Sequence, residues 1–230
     1  MTDGPVTAAV IVAAGRGVRA RSAAGPKQYA VVGGRPVVAH TIAAFLAHPS
    51  IDCVQVVIHA DDTDHYVTAV AGLEPSLKLL GPVHGGATRQ ASVLAGLEAL
   101  VAVAPGLVLI HDAARPFVDA ATIARVVAAL GTDAAAIAAS PIADTLKRGD
   151  GEKFVAATVS RDDLWRAQTP QGFRFAAILD AHRRAAEDAI ATLTDDAAVA
   201  EWAGIPVRLI EGAAANVSPQ ESSQPQPETK

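Results

Sequence analysis

A single cysteine, Cys53, stands in the whole chain, so no disulfide forms within it. Cys53 lies inside an apolar run and reads as a buried, inert thiol. Aromatic residues are scarce, at 4%, and the net charge is −5. A nucleic-acid binder needs a basic face and stacking rings, so that class of partner is excluded. No stretch approaches the ~20 uninterrupted apolar residues of a membrane span. The start, Met1-Thr2-Asp3-Gly4-Pro5, lacks the basic residues and apolar core of a signal peptide. The expectation is a cytoplasmic protein with no membrane partner.

One absence is local. From Gly4 to Ile51 there is no Asp or Glu, yet the interval carries Arg16, Arg19, Arg21, Lys27 and Arg35. Within it an apolar run from Val10 ends in Ala14-Gly15-Arg16-Gly17-Val18-Arg19, with Gly25-Pro26-Lys27 downstream. Backbone N–H groups in a glycine turn, ringed by cations, suit a polyphosphate. A P-loop is excluded, because no Lys-Ser or Lys-Thr follows the glycines at its spacing. A dinucleotide fingerprint, Gly15-x-Gly17-x-x-Ala20, is disfavoured by the missing ribose-binding acid and by Gly25-Pro26. Two readings stay open: a tight turn with solvated arginines, or a nucleoside triphosphate with Arg19 and Lys27 on its phosphates.

Half of the 230 residues are hydrophobic, ample for one α/β core. Strands are predicted over residues 6–12, 53–58, 107–110, 134–139 and 207–210, with a short one over 77–80. Helices are predicted over 36–48, 89–103, 175–188 and after Thr194, with another running from the cap Asp119 to Leu130. From Ser140 to Asp163 the rhythm breaks and an extended hairpin arm is predicted. The tail from Ser218 to Lys230 has no apolar residue and is expected to be disordered, leaving 1–217 as the domain. The alternation implies an α/β fold, a mostly parallel twisted sheet with helices on both faces. Ligands of such sheets sit beyond the strands' carboxyl ends, which lines up the Gly15 loop, the Gly85-Gly86 turn and Asp112. Asp112 ends an apolar strand, where a carboxylate either caps a turn or holds Mg²⁺ between phosphates. Arg115 pairs with a phosphate or with Asp112. The seven histidines show no metal-ligand spacing. Arg161 and Thr169 flank Trp165 where the chain leaves the arm, and Arg161 reads as either an interface ion pair or a second phosphate contact.

These motifs together resemble the 2-C-methyl-D-erythritol 4-phosphate cytidylyltransferases of the non-mevalonate isoprenoid pathway. The matches are Ala13 to Arg19, Pro26-Lys27-Gln28-Tyr29, Gly85-Gly86 with Arg89 and Ser92, and His111-Asp112-Ala113-Ala114-Arg115-Pro116. They continue through Asp144-Thr145-Leu146-Lys147, Arg161, Leu164-Trp165, Gln168-Thr169-Pro170-Gln171 and Thr194-Asp195-Asp196-Ala197. The resemblance implies a Rossmann-like nucleotidyltransferase fold and a homodimer built by exchanged arms. It implies attack of the polyol phosphate on the α-phosphate of CTP. By position, Arg19, Lys27 and Arg161 are catalytic cations, Ala14, Gly15, Gly86 and Ser92 hold the cytidine, and Asp112 holds Mg²⁺. Arg115, Thr145, Arg161, Thr169 and Thr194 line the acceptor site, some of them from the partner subunit. One departure is visible: Asn216-Val217 is followed by Ser218-Pro219-Gln220, where the family has a lysine and a closing helix. Some family members fuse this domain to a cyclodiphosphate synthase, so a fusion protein cut at the junction is one explanation and a short variant another. The rival functions are a pyrophosphorylase acting on ribitol phosphate or a sugar phosphate, and a non-catalytic nucleotide binder.

Overall fold

In the first strand, β1 (Thr7–Ala13), apolar side chains alternate between two cores. Ala8 and Val10 enter one, while Ala9, Ile11 and Ala13 enter the other. A strand buried on both faces reads as a continuous apolar run, and β1 does. This is the centre of the fold in the computed structural model, which describes residues 4–16, 26–190 and 192–216.

After β1 the chain makes a small hairpin of β2 (Val31–Val32) and β3 (Arg35–Pro36), then helix α1 (Val37–Leu46). The hairpin turns at Gly33-Gly34, both at positive φ, 57° and 80°, where a side chain would strain. Strand β4 (Cys53–Ile58), helix α2 (Thr63–Val70) and the short strand β5 (Val83–His84) follow. Next come α3 (Arg89–Ala99), β6 (Leu107–Asp112), α4 (Ala120–Ala129) and β7 (Ala135–Pro141). A separate hairpin, β8 (Leu146–Gly149) with β9 (Val155–Val159), stands within the predicted arm. The chain returns through β10 (Trp165–Arg174), α5 (Phe175–Glu187), α6 (Asp196–Trp202) and β11 (Val207–Glu211).

Seven strands form the main sheet in the order β11-β7-β10-β6-β1-β4-β5. All neighbours pair in parallel except β10, which runs antiparallel to both β6 and β7. The expected mostly parallel sheet with helices on both faces is therefore observed. Helices α3, α5 and α6 pack on one face, and α1, α2 and α4 on the other. Among the described residues no helix is long and apolar enough to cross a membrane.

Two readings of the sequence need correction. Residues 77–80 are not a strand: only Leu79 bridges to Val54, and the edge strand is β5 instead. The sequence also predicts neither helix α2 nor strand β10. Helix α2 has only eight residues and buries just Tyr66 and Ala69, too short a stripe to stand out. Strand β10 carries Pro170 inside a central strand, which argues against strand in any sequence. The sheet accommodates it with a register shift between Ala167 and Gln171.

Helix α3 touches the sheet through Gly96. A Cβ there would lie 2.7 Å from both Val10 Cγ1 and Val57 Cγ2. Alanine is the better helix former by ~1 kcal/mol, but overpacking costs about 1–3 kcal/mol. Close packing wins, so Gly96→Ala is expected to lower the melting temperature by roughly 2–4 °C per kcal/mol lost. A melting temperature above that of the parent would show that α3 can move away from the sheet freely.

Candidate active site

Strand β1 lies between β4 and β6: the chain passes from β1 out to β4 and β5 on one side and then crosses back to β6 on the other. The crossover to β4 runs through α1 on one face, and the crossover to β6 through α3 on the other. A crevice opens where the crossovers diverge, at the carboxyl ends of β1 and β6. Register places Val12 opposite Asp112, so Ala13 to Gly15 and Asp112 to Arg115 face each other across it. A cavity of about 500 Å³ fills this crevice. Its lining includes Ala14, Gly15, Lys27, Gly86, Ser92, Asp112 and Arg115, seven of the residues predicted from the sequence.

The first wall is the end of β1. Gln28 is buried and donates from Nε2 to the carbonyl oxygens of Ala13 at 2.8 Å and Gly15 at 3.2 Å. That pair of bonds ties the short helical turn Lys27–Tyr29 against the strand end and sets Lys27 at the cavity. Arg19 and residues 17–25 lie outside the described residues. Arg16 is partly exposed but not unpartnered, for its guanidinium is 2.7 Å from Asp61 Oδ2 and 3.4 Å from Asp62 Oδ1. The acid-free interval is thus acid-free only along the chain, because folding brings carboxylates from beyond β4 to Arg16.

The second wall is the turn after β5. A Cβ on Gly85 would lie 2.5 Å from Ser92 Oγ and 2.6 Å from Ala14 Cβ. Only glycine lets this turn reach the end of β1. Ser92, buried in α3, accepts from the Gly86 N–H at 3.2 Å and donates to the Thr88 carbonyl at 2.9 Å. Its hydroxyl shapes the turn, and the Thr88 side chain caps the helix by accepting from Ala91 N–H.

The floor is built around Asp112, whose side chain is 34% exposed. Arg89 donates from Nε to Asp112 Oδ1 at 3.2 Å and from Nη2 to Asp196 Oδ2 at 2.8 Å. Arg115 Nε lies 3.7 Å from Asp112 Oδ2, and its Nη1 donates to the Asn216 carbonyl at 2.9 Å. Asn216 in turn donates from Nδ2 to the Thr169 carbonyl at 2.6 Å. The Thr169 hydroxyl accepts from the Asp112 N–H at 3.2 Å and sits 3.0 Å from His111 Nδ1. His111 Nε2 donates to the Arg115 carbonyl at 3.0 Å. Burial pushes His111 down to about 4, so the ring is neutral near pH 7 and Nδ1 accepts from Thr169. His111 is therefore a strut that ties β6 to β10, with no charge to offer a ligand.

The remaining predicted residues are spread more widely. Thr169 is buried behind Asp112 rather than lining the cavity. Thr194 is exposed, one residue before Asp195, the cap of α6. Thr145 is exposed, just before β8, and the Arg161 guanidinium donates to the Ala143 carbonyl within the same arm. Neither arm residue lines the cavity of the single chain. Ser218 lies outside the described residues. The sequence reading gives no role to the Arg89–Asp196 pair. Its signal is the cap pattern Thr194-Asp195-Asp196, which sets the second acid in the first turn of a helix.

The profile of the 2-C-methyl-D-erythritol 4-phosphate cytidylyltransferases, designated IspD, matches residues 7–219. The bifunctional enzyme IspD/IspF of Bradyrhizobium sp. strain BTAi1 is 53% identical over 217 residues, 94% of this chain and 54% of that protein. The corresponding enzyme of Mesorhizobium japonicum is 53% identical over 210 residues, 91% of this chain and 51% of that one. The chain spans about half the length of the curated relatives it matches. Among solved structures, 4-diphosphocytidyl-2C-methyl-D-erythritol synthase of Anaerococcus prevotii superposes with a TM-score of 0.80 at 30% identity, covering 94% of this chain and 91% of that one. The 2-C-methyl-D-erythritol 4-phosphate cytidylyltransferase of Thermus thermophilus gives 0.70 at 37% identity, covering 93% and 94%.

Proposed function

The chain belongs to the 2-C-methyl-D-erythritol 4-phosphate cytidylyltransferase family, and from that premise we propose that it transfers the cytidylyl group of CTP to 2-C-methyl-D-erythritol 4-phosphate. The observation that carries the proposal is the switch-point cavity, with Lys27 on one wall and the partly exposed carboxylate of Asp112 on its floor. A phosphate oxygen of the acceptor attacks the α-phosphorus of CTP. The new P–O bond forms as the bond to the bridging oxygen breaks, and pyrophosphate leaves with that electron pair. Little proton transfer is required. Positioning and charge neutralisation carry the rate, and both are within reach of this site.

In this proposal Lys27 and Arg19 stabilise the triphosphate and the charge that grows on it. The backbone at Ala14 and Gly15 and the turn at Gly86, shaped by Ser92, hold the cytidine. Among the described residues no three His, Cys, Asp or Glu cluster as a ready-made metal cage. A carboxylate on the floor fits a magnesium ion that takes its other ligands from phosphates and water. Asp112 would hold Mg²⁺ there, where the ion would neutralise phosphate charge. Arg115, Thr169 and Thr194 line or support the acceptor side.

Thr145 and Arg161 belong to the arm, and the proposal places them at the site of a partner copy. The arm emerges from the same rim as the cavity, since β7 ends and β10 begins there. Phe154 and Val155 expose 68% and 65% of their surface on it, apolar area suited to a second subunit. The same proposal places the reaction in the cytoplasm.

Pyrophosphate release from CTP, measured with a panel of acceptors, tests the assignment. Methylerythritol phosphate is expected to give turnover, and ribitol phosphate and sugar phosphates far less. Turnover with another acceptor alone would overturn the substrate. Tight CTP binding without turnover on any acceptor would favour a nucleotide-binding role.

A further inference from the structure

The Arg89 guanidinium stands between two carboxylates in different surroundings. Asp112 is 34% exposed at the cavity, whereas Asp196 is fully buried. A guanidinium well placed on one carboxylate frequently closes into a two-bond fork. Among the described residues two pairs do so, while Arg184 and Arg166 make only single, longer contacts to Asp180 and Asp144, at 3.6 and 4.0 Å. Arg183 meets Glu98 with bonds of 2.7 and 2.7 Å, and Arg208 meets Asp133 with 2.5 and 3.0 Å. Arg89 does not fork onto Asp112. It makes one bond of 3.2 Å there and a shorter one of 2.8 Å to Asp196.

Asp196 is anchored to resist that pull. It lies in the first turn of α6, which Asp195 caps by accepting from Ala198 N–H at 2.9 Å. Gln171, from β10, donates to Asp195 Oδ2 at 2.8 Å and accepts from Ala197 N–H at 2.9 Å. His182, buried in α5, brings Nε2 to 3.2 Å from Asp196 Oδ1. Burial raises the Asp196 carboxyl, but the Arg89 charge and His182 outweigh that and hold it down to about 2. Its charge acts on Arg89 without solvent screening, while that of Asp112 is shared with water. Arg115 also keeps a shorter bond elsewhere, 2.9 Å to Asn216 against 3.7 Å to Asp112.

We propose that Asp196 is a positioning residue that holds Arg89 away from a full fork on Asp112 and so keeps one Asp112 oxygen open to a divalent cation. The inference rests on the cytidylyl-transfer reading for the identity of its probe, magnesium with CTP. Without the Asp196 charge, Nη2 of Arg89 turns to Asp112 and a cation must displace two charge-assisted bonds instead of one.

The test is calorimetric binding of CTP to the whole chain, without acceptor, at stepped magnesium concentrations. The wild type is expected to bind CTP with a clear magnesium midpoint. Asp196→Asn is expected to raise that midpoint about tenfold, which is about 1.4 kcal/mol. Adding Arg89→Gln to Asp196→Asn is expected to return the midpoint to near wild type, because nothing then forks onto Asp112. Damage that is merely structural would not be cured by a second substitution. If Asp196→Asn does not fold, Arg89→Gln alone decides: the midpoint is expected to stay or fall, and a rise overturns the inference. An unchanged midpoint in Asp196→Asn, or no recovery in the double variant, overturns it while leaving the function standing. CTP binding with no magnesium dependence in the wild type removes the metal reading and this inference together.

Discussion

Lys27→Ala is expected to slow pyrophosphate release by about 10²–10³-fold while the protein stays folded. The size follows from the chemistry proposed. Charge builds on the phosphates as the bond to pyrophosphate breaks, and a fixed cation in a partly closed cavity opposes it far better than water does. The retained fold follows from the turn that carries Lys27. That turn is held by Gln28, through the Ala13 and Gly15 carbonyls, and by the Tyr29 N–H on the Pro26 carbonyl at 2.9 Å. None of those bonds uses the lysine side chain. Thermal melting and the assay are run on the same sample. A rate within tenfold of the parent would remove Lys27 from the reaction, and a collapsed melting transition would make it structural.

Asp112→Asn is the second large effect, expected at about 10³-fold or more in rate. A metal ion supplies several kcal/mol of charge stabilisation, and each 1.36 kcal/mol is tenfold. The amide keeps the shape and loses the charge. Both neighbouring arginines keep other partners, Arg89 on Asp196 and Arg115 on the Asn216 carbonyl, so neither is left stranded. The variant is therefore expected to melt near the parent and to need far more magnesium for CTP binding. A normal magnesium midpoint would exclude Asp112 as the metal residue.

The α/β alternation was legible because β1, β4 and β6 are buried on both faces and read as apolar runs. The cap at Asp119 was legible too, and its carboxylate accepts from Thr122 N–H at 2.6 Å. The site was legible as three strand ends, since parallel topology aligns Gly15, Gly86 and Asp112 on one rim. What the sequence hid was polar and long-range. Strand β10 buries Gln168, Thr169 and Gln171, residues that suggest a loop, and spends them on bonds to α6, His111 and the chain before Asn216. The Arg89–Asp196 contact spans 107 positions, and the cap pattern at Thr194-Asp195-Asp196 marks only one of its two ends. Arg16 looked uncompensated for the same reason, its acids lying 45 and 46 positions away beyond another strand.

The central claim is attack at the α-phosphorus of CTP in the switch-point cavity. It is tested most directly by following label from CTP carrying ³²P at either the α or the γ position, with methylerythritol phosphate as acceptor. The account predicts that α-label enters the polyol product and γ-label leaves as pyrophosphate. Label from the γ position in the polyol product would contradict it.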